Sequence, residues 1–224
     1  MAFCLLRPFA VFTTLAVAAS AQVSPSLLGH MEGEVYVSPT GEFRIPTPVL
    51  PELGGVITDT DNVVTFSDSF NTHLSIACFP MDASQKWELD TRSRRDYLLY
   101  FFTTFVLTDF QGRFPGSAIE SARFLPDMLD GALITFSLLP GGSSFETKNS
   151  IVDAPPANPV TAKRGTMLFI RNHFIYVIST ELAERATQRS TYHKTVEEEN
   201  TQLSEQLINL SGRFVFAGGK TAKP

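Results

Sequence analysis

Apolar and polar positions alternate along much of the chain with the two-residue period of β-strands, and twice give way to the three- and four-residue spacing of a helix. Val35-Tyr36-Val37-Ser38-Pro39 and Gly41-Glu42-Phe43-Arg44-Ile45-Pro46 read as short extended pieces joined by a turn at Pro39-Thr40-Gly41, and prolines 46, 48 and 51 confine the next residues to an edge or loop. Val56–Thr58 and Val63–Phe66 flank Asp59-Thr60-Asp61-Asn62, which predicts an antiparallel hairpin. Leu74, Ile76 and Cys78 then alternate with His73, Ser75 and Ala77, so Cys78 falls on the more apolar face of the next strand, as a core thiol.

Between Arg94 and Phe110 the residues Tyr97, Leu98, Phe101, Phe102, Phe105 and Val106 recur at helical spacing, and Gly112, Pro115 and Gly116 end the run. A helix so apolar must pack on a sheet. Ala118–Leu125 and Ala132–Leu139 predict a further antiparallel pair. The segment 140–163, with Gly141-Gly142-Ser143-Ser144 and Pro155-Pro156, has no core pattern and reads as an excursion over the surface. Gly165–Arg171 and Phe174–Ser179 are apolar on both faces and meet at Asn172-His173, which predicts a tight hairpin in the middle of a sheet covered on both sides. A last helix is expected from Ser190 or Thr191, carrying Tyr192, Val196, Leu203, Leu207 and Leu210 on one face as far as Gly212; Phe214–Phe216 adds a short extended piece.

This order predicts an α+β fold, an α/β/α sandwich whose central, mostly antiparallel sheet carries a helix on each face. The layout resembles the fold of the PsbP-type photosystem II extrinsic proteins and the Ran-binding Mog1 proteins, shared by exported bacterial domains of unknown function. The pieces that carry the likeness are Tyr36-Val37-Ser38-Pro39-Thr40-Gly41-Glu42-Phe43-Arg44-Ile45-Pro46, the Gly165–Ser179 hairpin and the helix after it. Members of that fold do unrelated work, from stabilising a manganese centre to binding a GTPase, so the resemblance implies a fold and no particular activity.

The ends of the chain add a location. Arg7 precedes an apolar stretch from Phe9 to Ala19, and Ala19-Ser20-Ala21 is a small-x-small cleavage site, so residues 1–21 read as a secretory signal peptide. Residues 22–34 then form a flexible leader, 35–216 a single domain and 217–224 a mobile tail. No later stretch approaches the roughly 18 apolar residues of a membrane span, and the expected location is extracytoplasmic, in a bacterial periplasm or secreted. Cys4 leaves with the signal and Cys78 remains alone, so the fold must stand on its core without a disulfide. A net charge of −5 with no basic stripe excludes nucleic acid as a natural partner.

Candidate chemistry is sparse. No nucleophile elbow, helical zinc-protease motif or phosphate loop is present, and Gly218-Gly219-Lys220-Thr221 lacks the earlier glycine and following helix that a phosphate loop needs. His193 and Glu197 stand four apart on the predicted last helix, where they are the candidates for a shared metal, though two ligands make an incomplete site. Asp59, Asp61 and Asn62 begin like a calcium loop, but Val64 stands where that loop needs glycine. No catalytic residue and no cofactor are assigned. The function expected from these residues is that of an exported, non-catalytic binding or accessory domain for a protein or cell-envelope component. The alternatives are an extracytoplasmic hydrolase whose groups converge only in space and an apolar-ligand carrier prompted by the 19 phenylalanines.

Overall fold

The computed structural model describes residues 27–145 and 159–218; the expected signal peptide, the central part of the 140–163 excursion and the end of the expected tail lie outside them. Seven strands form one wholly antiparallel sheet: β4 (Val56–Asp59), β5 (Val63–Ser67), β6 (His73–Pro80), β7 (Ala118–Leu125), β8 (Ala132–Pro140), β9 (Thr161–Arg171) and β10 (Phe174–Glu181). Their spatial order is β4-β5-β6-β10-β9-β8-β7, so the β9–β10 hairpin sits at the centre, as its two apolar faces require. The turn between these strands holds Asn172 and His173 at φ of 50° and 63°, the left-handed conformation of a two-residue hairpin. A single ladder, β6 on β10 from Pro80–Phe174 to Leu74–Thr180, joins the N-terminal hairpins to the remainder of the sheet.

One face of the sheet is covered by α2 (Arg94–Phe101), a π-helical turn (Phe102–Val106) and α3 (Leu107–Arg113), which follow α1 (Ala83–Thr91). Tyr97, Leu98, Phe101 and Phe102 pack there on Leu133, Leu168, Ile170, Ile175 and Val177. The opposite face receives α5 (Val196–Ser211), which follows the short α4 (Glu184–Thr187). It also receives a small sheet of β1 (His30–Glu32), β2 (Val35–Val37), β3 (Phe43–Pro46) and β11 (Val215–Phe216). Leu203 and Leu207 of α5 approach so closely that a Cβ on Gly165 would lie 3.0 Å from Leu203, so glycine lets the helix seat tightly on the centre of β9. Beside them Phe169 and Tyr176 stack at 4.9 Å, ringed by Phe214 and Phe216. Ten of the phenylalanines among the described residues are buried in this way.

Several boundaries differ from those the sequence predicts. Order begins before Val35, because His30–Glu32 of the expected leader pair with β2. Ala217 of the expected tail is tied down as well, its amide donating to the Glu42 carbonyl and its own carbonyl accepting from Asn172. The last helix starts at Val196 rather than near Thr191: Thr195 and Glu198 form a reciprocal capping box that outcompetes the earlier Ser190 and Thr191. The excursion is anchored, since Ser143 and Phe145 are buried at its start and Lys163 is fully buried in β9 at its end.

Candidate functional site

Lys163 and Arg164, neighbours on β9, point to opposite faces of the sheet and each meets a buried glutamate. Lys163 Nζ lies 2.9 Å from Glu199 Oε2 and 2.5 Å from Glu120 Oε2, while Glu199 Oε1 accepts from Tyr192 at 2.6 Å and faces Arg185 at 3.2 Å. On the other face Glu181 accepts from the Ser143 hydroxyl at 2.7 Å and from the Ser144 amide, with Arg164 at 3.6 Å. Burial pulls the Arg164 guanidinium below its usual value, against the pull of Glu181. These clusters hold charge but admit no substrate, because Lys163, Glu199 and Glu181 are all buried.

The metal-ligand spacing expected at His193 and Glu197 is not realised on a helix. His193 lies in irregular chain ahead of the Thr195 cap while Glu197 is in the first turn of α5, and both are exposed. Among the described residues no group of three histidine, cysteine or acidic side chains comes together. Asp59 fastens the first described residues to the main sheet. Its carboxylate accepts from the amides of Leu28 and Gly29 at 2.9 and 2.8 Å and from the Tyr36 hydroxyl at 2.8 Å. Cys78 is buried, and burial pushes its thiol up to about 12, so it is no nucleophile at neutral pH.

An accessible site is formed where the helices stop short. They cover β8, β9 and β10 but leave the same face of β5 and β6 open. Registers across the sheet align Thr58, Thr65, Ser75, Ser179, Thr166 and Thr135 in one row of hydroxyls on that face. The row is buried under the helices at Thr135 and Thr166, where Thr166 and Ser179 lie 3.1 Å apart, and emerges at Ser75 as the floor of a groove of about 440 Å³. Val63, Ala77, Phe79 and Val177 complete the floor, with Phe101, Phe105, Val106 and Phe110 as the wall.

The wall is shaped by the π-helical turn, in which the Leu107 amide reaches back to the Phe102 carbonyl. The extra residue turns Phe105 outward, 47% exposed, with its ring 4.9 Å from that of Phe101. Such turns often mark functional sites, because they reorient side chains at a cost in helical hydrogen bonding. Asp82, Asp109 and Arg113 stand at the rim, the last two ion-paired one turn apart. Helical spacing alone puts Phe105 and Val106 with the core residues; the alternation of Ser75 and Ala77 with Leu74 and Ile76 is the signal that one face of β6 is left half open.

No family model and no curated protein matches the chain. Solved structures do. The backbone is similar to the Ran-binding protein Mog1p of Saccharomyces cerevisiae, with a TM-score of 0.44 and 11% identity over 84% of this chain and 95% of that one. It is also similar to cyanobacterial PsbP (CyanoP) from Synechocystis, with a TM-score of 0.46 and 10% identity over 81% and 91%. These are the proteins whose layout the sequence resembles, and the similarity is one of backbone arrangement alone.

Proposed function

We propose that the chain is an extracytoplasmic, non-catalytic binding domain whose groove along the open half of the sheet takes an apolar segment of a protein or cell-envelope partner. The observation that supports this reading is Phe105, held half-exposed by the π-helical turn over an apolar floor. Desolvated aromatic anchors of this kind supply most of the energy of protein interfaces. The groove is half open to solvent rather than enclosed. That shape suits an extended segment better than a small apolar ligand shut away from water. Among the described residues no helix is long and apolar enough to cross a membrane.

A photo-crosslinking residue at Phe105, in the full chain expressed in its own cells, tests this. One discrete adduct is expected from position 105 and none from the comparably exposed Val215 on the far sheet. Phe105→Ala should weaken binding to the identified partner by about 2 kcal/mol, with the unfolding midpoint little changed. Equal adducts from both positions, or an adduct unaffected by Val106→Glu, would overturn the reading.

A further inference from the structure

At the end of the sheet that carries the β9–β10 turn, α1, the start of α2 and the β7–β8 turn enclose a second, wide cleft of about 970 Å³. Its charges are unbalanced in an acidic molecule: Lys86, Arg94 and Arg171 face Asp90 and Asp130. Arg171 is positioned in advance, its guanidinium 5.4 Å from the centre of the Phe216 ring and only loosely paired with Asp130 at 3.6 Å. Asp130 is itself 73% exposed, so it can turn away into solvent.

Arg94 is held from the other side. The β7–β8 turn carries Leu129, Asp130 and Gly131 at positive φ, and a Cβ on Gly131 would come 2.9 Å from Arg94 Cδ, so the turn clasps the arginine stem. The Nη1 nitrogen of Arg94 is buried with no hydrogen-bond partner among the described residues. A guanidinium N–H left so is unfavourable, and an acceptor group brought to it by a small adjustment of the arginine would relieve that cost. Met81 and Ile170, both nearly buried, give the cleft an apolar floor.

We infer that this cleft binds a small ligand through an oxyanion, a phosphate or carboxylate group held by Arg94 and Arg171 with Lys86 at the mouth. A planar, pre-set guanidinium matches two oxygens of such a group at once, and the local excess of positive charge draws the anion in. The inference is independent of the groove, which lies on the sheet face beyond α1 and α2.

The test is a titration of the full chain with inorganic phosphate and with acetate at constant ionic strength, read from the amide resonances of Gly131, Asn172 and His173. Saturable shifts are expected, weakened about tenfold in Arg94→Gln. In Asp130→Asn, which frees Arg171, they should strengthen about threefold. Stronger binding of phosphate points to a phosphorylated ligand and of acetate to a carboxylate. Lys86→Gln, on an exposed position, supplies a second weakened variant should Arg94→Gln fail to fold. Shifts that never saturate, or that persist unchanged in a folded Arg94→Gln or Lys86→Gln protein, would overturn the inference.

Discussion

Asp59 illustrates how a residue legible as one thing in sequence becomes another in space. Its neighbours Asp61 and Asn62 mark a turn, which the structure contains; nothing local announces that its carboxylate closes on Leu28, Gly29 and Tyr36, well upstream in the chain. Partial burial raises its affinity for a proton, yet the Gly29 and Leu28 amides and the Tyr36 hydroxyl outweigh this and hold it below the ordinary carboxylate range. Asp68, which accepts from the amides of Phe70, Asn71 and Thr72, is held low in the same way. A carboxylate with a lowered folded value contributes fully above its unfolded value of 3.8 and loses that contribution as pH falls through the folded one. Asp59→Ala should therefore cost about 2 kcal/mol at neutral pH, measured by urea unfolding, with the difference from the parent shrinking below pH 3.8.

Whole elements are legible wherever one periodicity dominates and obscure where capping decides. The hairpins of the main sheet, the central pair among them, stand where alternation and turn residues put them, because register leaves little choice once one face is buried. Helix α1 does not show in the pattern, since it buries no residue and carries no apolar stripe; its signal is the Asp82–Gln85 capping box. Strand β9 hides two cations at the end of a segment that reads as surface, because each is neutralised by a glutamate distant in sequence. Lys163→Met should destabilise the fold by about 3 kcal/mol by leaving Glu199 and Glu120 facing each other with less compensation. Chemical denaturation measures this, and adding Glu199→Leu should restore a large part of the loss; a double variant no better than the single one would mean that the cluster is not held together by charge.

For the whole molecule, the sandwich and its coverage by helices on both faces can be read from the order of elements. How much of a face each helix covers cannot, since that depends on where α2 lands along the strands, a matter of packing between residues far apart in the chain. The groove and the oxyanion cleft both arise from that placement. The π-helical turn is equally hidden, for it adds one residue to a pattern that otherwise satisfies helical spacing.

The β6–β10 ladder also governs the order of assembly. Every other pair of adjacent strands in the main sheet except β8–β9 is joined by a short turn, whereas this one closes a loop from Pro80 to Phe174 that contains α1, α2, α3 and three strands. Closing so long a loop is entropically costly, and the cost is offset only once both sides are formed. The sheet is therefore expected to assemble as two halves that zip along one line. Ile76→Val, at the middle of that line, should cost about 1 kcal/mol, expressed mainly as faster unfolding in stopped-flow kinetics; a matching loss in the folding rate would place the seam in the nucleus instead.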